Sequence, residues 1–134
     1  MQNSSENHFE DLDKVINKRA KGNKAEDFAF EYLIKSGFNV IKRNFTFSRY
    51  GEIDIIAKKQ NVIIFFEIRS KHNNSPYEPI LSIGYAKQKN MRKAAEGYLY
   101  INKINDQECR FDLITVDYSH NSEKPQIEHL ENIL

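Results

Sequence analysis

Five consecutive apolar residues at 62–66, VIIFF, lie inside the stretch 51–71, GEIDIIAKKQNVIIFFEIRSK, and limit the possible folds more than any other feature. A run of that length, β-branched and aromatic and bounded by polar residues, fits a strand buried on both faces near the centre of a sheet. Ile53, Ile55 and Ile56 supply a preceding strand, and Lys59-Gln60-Asn61 is the polar break between the two. With Gln60-Asn61 as a two-residue loop, Lys59 pairs with Val62, and counting outwards brings Asp54 opposite Glu67. Residues so opposed share a face, with Cβ atoms roughly 4.5–5.5 Å apart. Two carboxylates at that spacing repel each other, so one takes a proton or both share a cation. Arg69 and Lys71 alternate onto the same face as Glu67.

The rest of the chain agrees with one soluble domain. Its 134 residues suffice for a core without covalent staples. No apolar run reaches membrane-spanning length, and the polar start MQNSSENHFED lacks the features of a signal peptide. Cys109 is the only cysteine, which excludes an internal disulfide and suits a reducing, cytoplasmic interior. His8, His72, His120 and His129 show no metal-ligand spacing, so no zinc site is expected. The formal charge of +1 conceals a strong asymmetry: residues 14–105 hold 18 Lys/Arg against 8 Asp/Glu, between two acidic ends. A basic middle suits a polyanion such as nucleic acid, although lysines also serve simply as solvated surface.

Helical spacing of Phe9, Leu12, Val15 and Ile16 predicts an accessory amphipathic helix over 8–20, so residues 1–21 are read as a polar tail plus that helix. Residues 22–134 are read as a single domain. Asn23 caps a second helix over 24–36, ended by Gly37. Residues 38–47 form a strand, 72–79 a loop, 81–102 a long helix burying Met91, Ala94, Ala95, Tyr98 and Leu99, and 110–118 another strand. Residues 126–134 fit a short strand or a short helix. A helix joining two strands implies a mixed central sheet with helices packed on it.

Each candidate for chemistry also has a plainer explanation. Asp54 and Glu67 fit either ion pairs on an ordinary sheet face or ligands of a hard divalent cation such as Mg²⁺. Glu26 fits a capping box with Asn23, which the residues alone favour, or a third carboxylate at that cation. Lys87, Lys89, Arg92 and Lys93 form a basic patch that fits a solvated helix face or phosphate contacts. Arg110 and Asp112 share a strand face and can pair with each other.

Together these stretches resemble the YraN-like family of small bacterial proteins. That family is similar to the restriction-endonuclease-like PD-(D/E)xK superfamily and akin to archaeal Holliday-junction resolvases. The matching segments are Gly22 with AEDFAFEYL (25–33), RN (43–44), GEIDIIA (51–57), IFFEIRSK (64–71), Lys87 with AAEGYL (94–99), and RFDLITV (110–116). The resemblance implies an α/β fold with an αβββαβ core and hydrolysis of DNA phosphodiester bonds dependent on Mg²⁺ or Mn²⁺. It assigns Asp54, Glu67 and the helix carboxylate Glu26 to the metal, and Lys87 to phosphate. The neighbouring bases Lys89, Arg92 and Lys71 are candidates for further nucleic-acid contacts. One position departs from the pattern. Arg69 stands where the motif has lysine, and a lysine, Lys71, follows two residues on. Arginine stays protonated, so Arg69 can hold a phosphate or orient water but is a poor proton acceptor. The expected function is therefore an endonuclease for branched or single-stranded DNA. The alternatives are a catalytically silent nucleic-acid-binding module, or a protein-interaction domain that forms a homodimer through 8–20.

Overall fold

The computed structural model describes residues 24–73 and 77–134, so the helix expected over 8–20 and the cap residue Asn23 lie outside the described residues. Helix α1, Lys24–Lys35, begins with Glu26 and Asp27 and ends with Lys35, charges that complement the helix dipole. Its inner face is Glu26, Ala29 and Leu33, at helical spacing, and Gly37 with φ 88° turns the chain out of it. Strands β1 (Asn39–Thr46), β2 (Glu52–Lys59) and β3 (Val62–Lys71) follow. Gln60 and Asn61 both take left-handed φ, 50° and 66°, as a two-residue hairpin turn requires. The β2–β3 register runs from Lys59↔Val62 to Ile55↔Phe66, as the loop length predicts.

Helix α2, Tyr85–Ile101, then crosses over to β4 (Cys109–Asp117), which pairs parallel to β3. The long helix starts at Tyr85 rather than at 81. Pro79–Ser82 closes a separate 3-10 turn, and Gly84 in extended conformation breaks the two apart. The undecided segment 126–134 supplies β5, Gln126–Leu130, antiparallel to β4. The result is a mixed α/β fold, a five-stranded mixed sheet in the order β1-β2-β3-β4-β5 with two helices. No helix among the described residues is long and apolar enough to cross a membrane.

The sheet separates two cores. Ile53, Ile56, Ile63 and Phe65 pack with Met91, Ala94, Ala95 and Tyr98 of α2. Ile55, Ala57, Ile64 and Phe66 pack with Ala29 and Leu33 of α1. Central β3 is consequently dry on both sides, with Ile63, Ile64, Phe65 and Phe66 all at most 2% exposed. At Gly97 a Cβ would stand 2.3 Å from the Phe47 ring, so the helix residue that looks weak in sequence is a packing requirement. Gly97→Ala is expected to lower stability by about 1–3 kcal/mol despite alanine's better helix propensity, measured by urea melts. An unchanged midpoint would show that Phe47 moves aside freely.

Strand side chains alternate, so Ile53 and Ile55 should share a face, yet they enter opposite cores. β2 therefore turns over at Asp54. β1 does the same: Phe45 faces the α2 core while Arg43 reaches Glu26 of α1. Asn44, between them, has φ 55°, a left-handed conformation asparagine tolerates well. The ladder pairs Arg43↔Ile55 and Phe45↔Ile53 on either side of this point. The turnover takes Asp54 out of regular pairing.

Candidate functional site

Asp54 lies beyond the last β2–β3 ladder pair, and its carboxylate Oδ2 accepts the Ile68 amide at 2.8 Å. Burial pushes its pKa up to about 8, helped by the charge of Glu67 and, more weakly, that of Glu26, against the lowering effect of the Ile68 amide. A side-chain hydrogen bond to Glu67 acts in the same upward direction. Without a cation, this direction favours a proton on the Asp54–Glu67 pair at neutral pH, one of the two outcomes open to neighbouring acids. Glu67 itself is 4% exposed, at the dry end of the apolar run.

Glu26, in the first turn of α1, is buried against β1. Its Oε1 accepts Arg43 Nε at 3.1 Å and Asn44 Nδ2 at 2.9 Å. Arg43 also donates to Asp27 at 2.7 Å and lies over the Phe30 ring. The pair Arg43 and Asn44 thus fixes the helix acid beside the turnover of the strands. Sequence reading gave these two no role. The adjacent Arg-Asn and a left-handed-tolerant residue were the only local signals.

Among the bases, Arg69 Nη2 lies 2.9 Å and Lys87 Nζ 3.4 Å from Glu67 Oε2, so both belong to the cluster. Arg69 Nε is buried and has no hydrogen-bond partner among the described residues. Lys71 does not join them: its Nζ pairs with Glu78 at 2.9 Å, near the surface. Lys89 and Arg92 lie on the exposed face of α2. The structure thus brings Glu26, Asp54, Glu67, Arg69 and Lys87 to one region and leaves Lys71, Lys89 and Arg92 outside it.

A second group, Asp112, His129 and Glu131, could hold a metal ion, because one ligand atom from each lies within 4.8 Å of the others. The histidines were not expected to take part in such a group. His129 does so because β5 pairs with β4, a contact that sequence spacing hides. This group is already well satisfied. Asp112 is fully buried and accepts Arg110 Nε at 2.9 Å, His129 Nε2 at 2.8 Å and the Asn132 amide at 2.9 Å. Burial pushes the Asp112 carboxyl up, but these hydrogen bonds outweigh it and hold the carboxyl below its ordinary value. Tyr32 Oη meets the other His129 nitrogen at 3.0 Å. A cation here would have to displace Arg110; between Asp54 and Glu67 it would have to displace a proton and the contacts of Arg69 and Lys87 with Glu67.

The model of the uncharacterised protein family UPF0102 matches residues 25–116, the span that contains Glu26, Asp54, Glu67, Arg69 and Lys87, whereas of the second group only Asp112 falls inside it. A UPF0102 protein of Helicobacter hepaticus is 46% identical over 99 residues, 74% of this chain and 86% of its own length. Relatives in Natranaerobius thermophilus and Persephonella marina are 36% and 42% identical, over 87% and 72% of this chain and 98% and 82% of their own. The family match and these near full-length relatives agree with the motifs read from the sequence, and the chain belongs to the UPF0102, or YraN-like, family.

Proposed function

We propose that this chain is a metal-dependent nuclease that hydrolyses DNA phosphodiester bonds on a restriction-endonuclease-like core. One observation carries the reading: a buried Asp54 whose pKa is raised to about 8 beside Glu67 and Glu26. Three carboxyl groups gathered in a dry site cost stability unless they serve a function, and perturbed acids of this kind cluster at functional sites. The donors are all carboxylate oxygens, which fit a hard cation, Mg²⁺ or Mn²⁺, better than a soft one. Such a cation would polarise a phosphate and lower the pKa of an attacking water. Asp54, Glu67 and Glu26 would hold it. The rest of the cluster handles the phosphate: Lys87 neutralises its charge, and the partly exposed guanidinium of Arg69 beside Glu67 offers it planar donors. Lys89, Arg92 and Lys71 extend the positive surface towards the flanking backbone.

The test is a titration with Mn²⁺ and Mg²⁺ across pH, followed by cleavage assays on linear, single-stranded and branched DNA. Because the cation must displace the Asp54 proton, its apparent affinity is expected to rise between pH 6 and about pH 8 and to level off above. Proton release should be detected calorimetrically in buffers of different ionisation enthalpy. A chain that binds neither ion and cuts none of the three substrates would sink the proposal.

The ion pairs of Glu67 with both Arg69 and Lys87 favour a second reading, a silent module that binds nucleic acid with the acid neutralised by protein cations. Arg69→Lys separates the two. A silent wild type that gains cleavage on this change supports the module. An active wild type that loses activity supports the nuclease with Arg69 as its phosphate donor.

A further inference from the structure

Away from the carboxylates, an open groove of about 450 Å³ is lined by Phe47, Tyr50, Lys93, Glu96, Gly97 and Tyr100. That volume lies within the roughly 300–1,000 Å³ typical of sites for small flat ligands. Its aromatic wall is pre-set rather than loose. Phe47 and Tyr50 stack at 6.5 Å with their planes 26° apart, and the amide of Tyr50 donates to the Phe47 carbonyl at 3.1 Å. The turn they flank is pinned to α2, since a Cβ on Gly51 would come within 3.3 Å of Asn90 Cβ. Gly97 lets the Phe47 ring lie directly against the helix. Tyr100, also in the lining, is 83% exposed, a large ring that buries little of itself in the fold.

The groove is also aligned with the proposed site. Lys87, Asn90, Lys93, Gly97 and Tyr100 recur every three or four residues, so they form one stripe along α2. Lys87, against Glu67, and Lys93, at the groove, are separated by about 9 Å of helix axis. The chemistry of the walls distinguishes a base from a phosphate. Lys93 lies 4.3 Å from the centre of the Tyr50 ring and supplies positive charge, but Glu96 beside it repels a phosphate. A neutral heterocycle has π-faces for the tyrosines and N–H edges for a carboxylate acceptor. Bases inside a duplex do not present those faces.

We propose that this groove receives an unpaired nucleobase of the strand whose backbone runs along α2 to Lys87. The inference deepens the nuclease reading and rests on it for the direction of the strand. It assigns single-stranded DNA, or an unpaired segment of a branched structure, as the substrate class.

The experiment measures anisotropy of a fluorescein-labelled oligothymidine strand on the full chain at low salt in EDTA. The comparison is a strand of equal length and charge built from abasic units. The wild type should bind the base-bearing strand about tenfold more tightly, towards the lower end of what one base–aromatic stack contributes. Tyr100→Ala and Tyr50→Ala together should erase that preference and leave binding of the abasic strand unchanged. The exposed Tyr100→Ala alone should already reduce it, with circular dichroism confirming the fold. Equal binding of both strands by the wild type, no binding of either, or a preference that survives both substitutions overturns the inference. Cleavage is assayed separately with Mn²⁺, so the two readings fail independently. Base preference without cleavage removes the nuclease but keeps the groove, and cleavage without base preference does the reverse.

Discussion

Replacing Asp54 with asparagine should reduce DNA cleavage to background and, in the same molecule, make the metal-free protein more stable at pH 9. Both effects have one cause. Asparagine keeps the oxygen that accepts the Ile68 amide but cannot ionise beside Glu67. In the wild type the carboxyl titrates near 8 in the fold and near 3.8 when unfolded. The native state therefore binds more protons between these values, and stability falls as pH rises from about 4 to about 8. Above that window the charged Asp54 costs of order 2–4 kcal/mol, allowing for relaxation and sharing of the proton with Glu67. Asp54→Asn removes the cost along with the metal ligand. Melting curves of both proteins in EDTA at pH 5, 7 and 9 provide the check. A wild type whose melting temperature is flat over this range, or an asparagine variant less stable at pH 9, would contradict the account. Retained cleavage would place the chemistry elsewhere.

The second large effect concerns Asp112. Removing this fully buried carboxylate by Asp112→Ala strips the Arg110 guanidinium, His129 and the Asn132 amide of their shared acceptor. Breaking a buried charge network from one side costs about 3–5 kcal/mol, enough to lower the melting temperature by roughly 10–20 °C. The depressed pKa gives the network a definite pH signature. Its stabilisation is present above the unfolded value of 3.8 and is lost as pH falls through the folded one. Asp54 and Asp112 thus act in opposite directions, one weakening the fold in base and the other in acid. Thermal scans with and without added Mn²⁺ or Zn²⁺ decide whether Asp112, His129 and Glu131 also bind metal. If metal raises the wild-type melting temperature and His129→Gln abolishes that rise while Asp54→Asn does not, this group is a metal centre. If neither ion shifts the melt of the Asp54→Asn protein, its role is structural.

The hairpin and its register could be read from sequence because both depend on local chemistry: two residues with left-handed φ and a dry apolar run. Strand β5 could not. It is a short edge strand of alternating exposure whose only strand-like property is its pairing with β4. The start of α2 was displaced by Pro79, which favours a first turn, and by Gly84, which does not continue it. Lys71 was assigned to the acid face by alternation, but the flexible side chain found Glu78 instead. The contacts of Glu26 with Arg43 and Asn44 were hidden because those partners lie a strand away. The aromatic groove was hidden for a similar reason. Its rings come from a turn and a helix about fifty residues apart, and Gly97 appeared as a flaw in the helix when it is the seat of Phe47.

The simultaneous turnover of β1 and β2 has a consequence for how this family can drift. Asn44 and Asp54 stand off the ladder, so the sheet is held by neighbours on either side and does not depend on them. The scaffold and the acids are carried by different atoms. A descendant in which Asp54 became asparagine would keep its two cores and the acceptor of the Ile68 amide and would fold more firmly in mild base, so folding alone gives no reason to retain the acid. Purifying selection on such a position must come from outside stability. A library of all substitutions at Asp54, sorted once for folding and once for a cellular phenotype, would show that split directly, with asparagine ranking above aspartate for folding and below it for the phenotype.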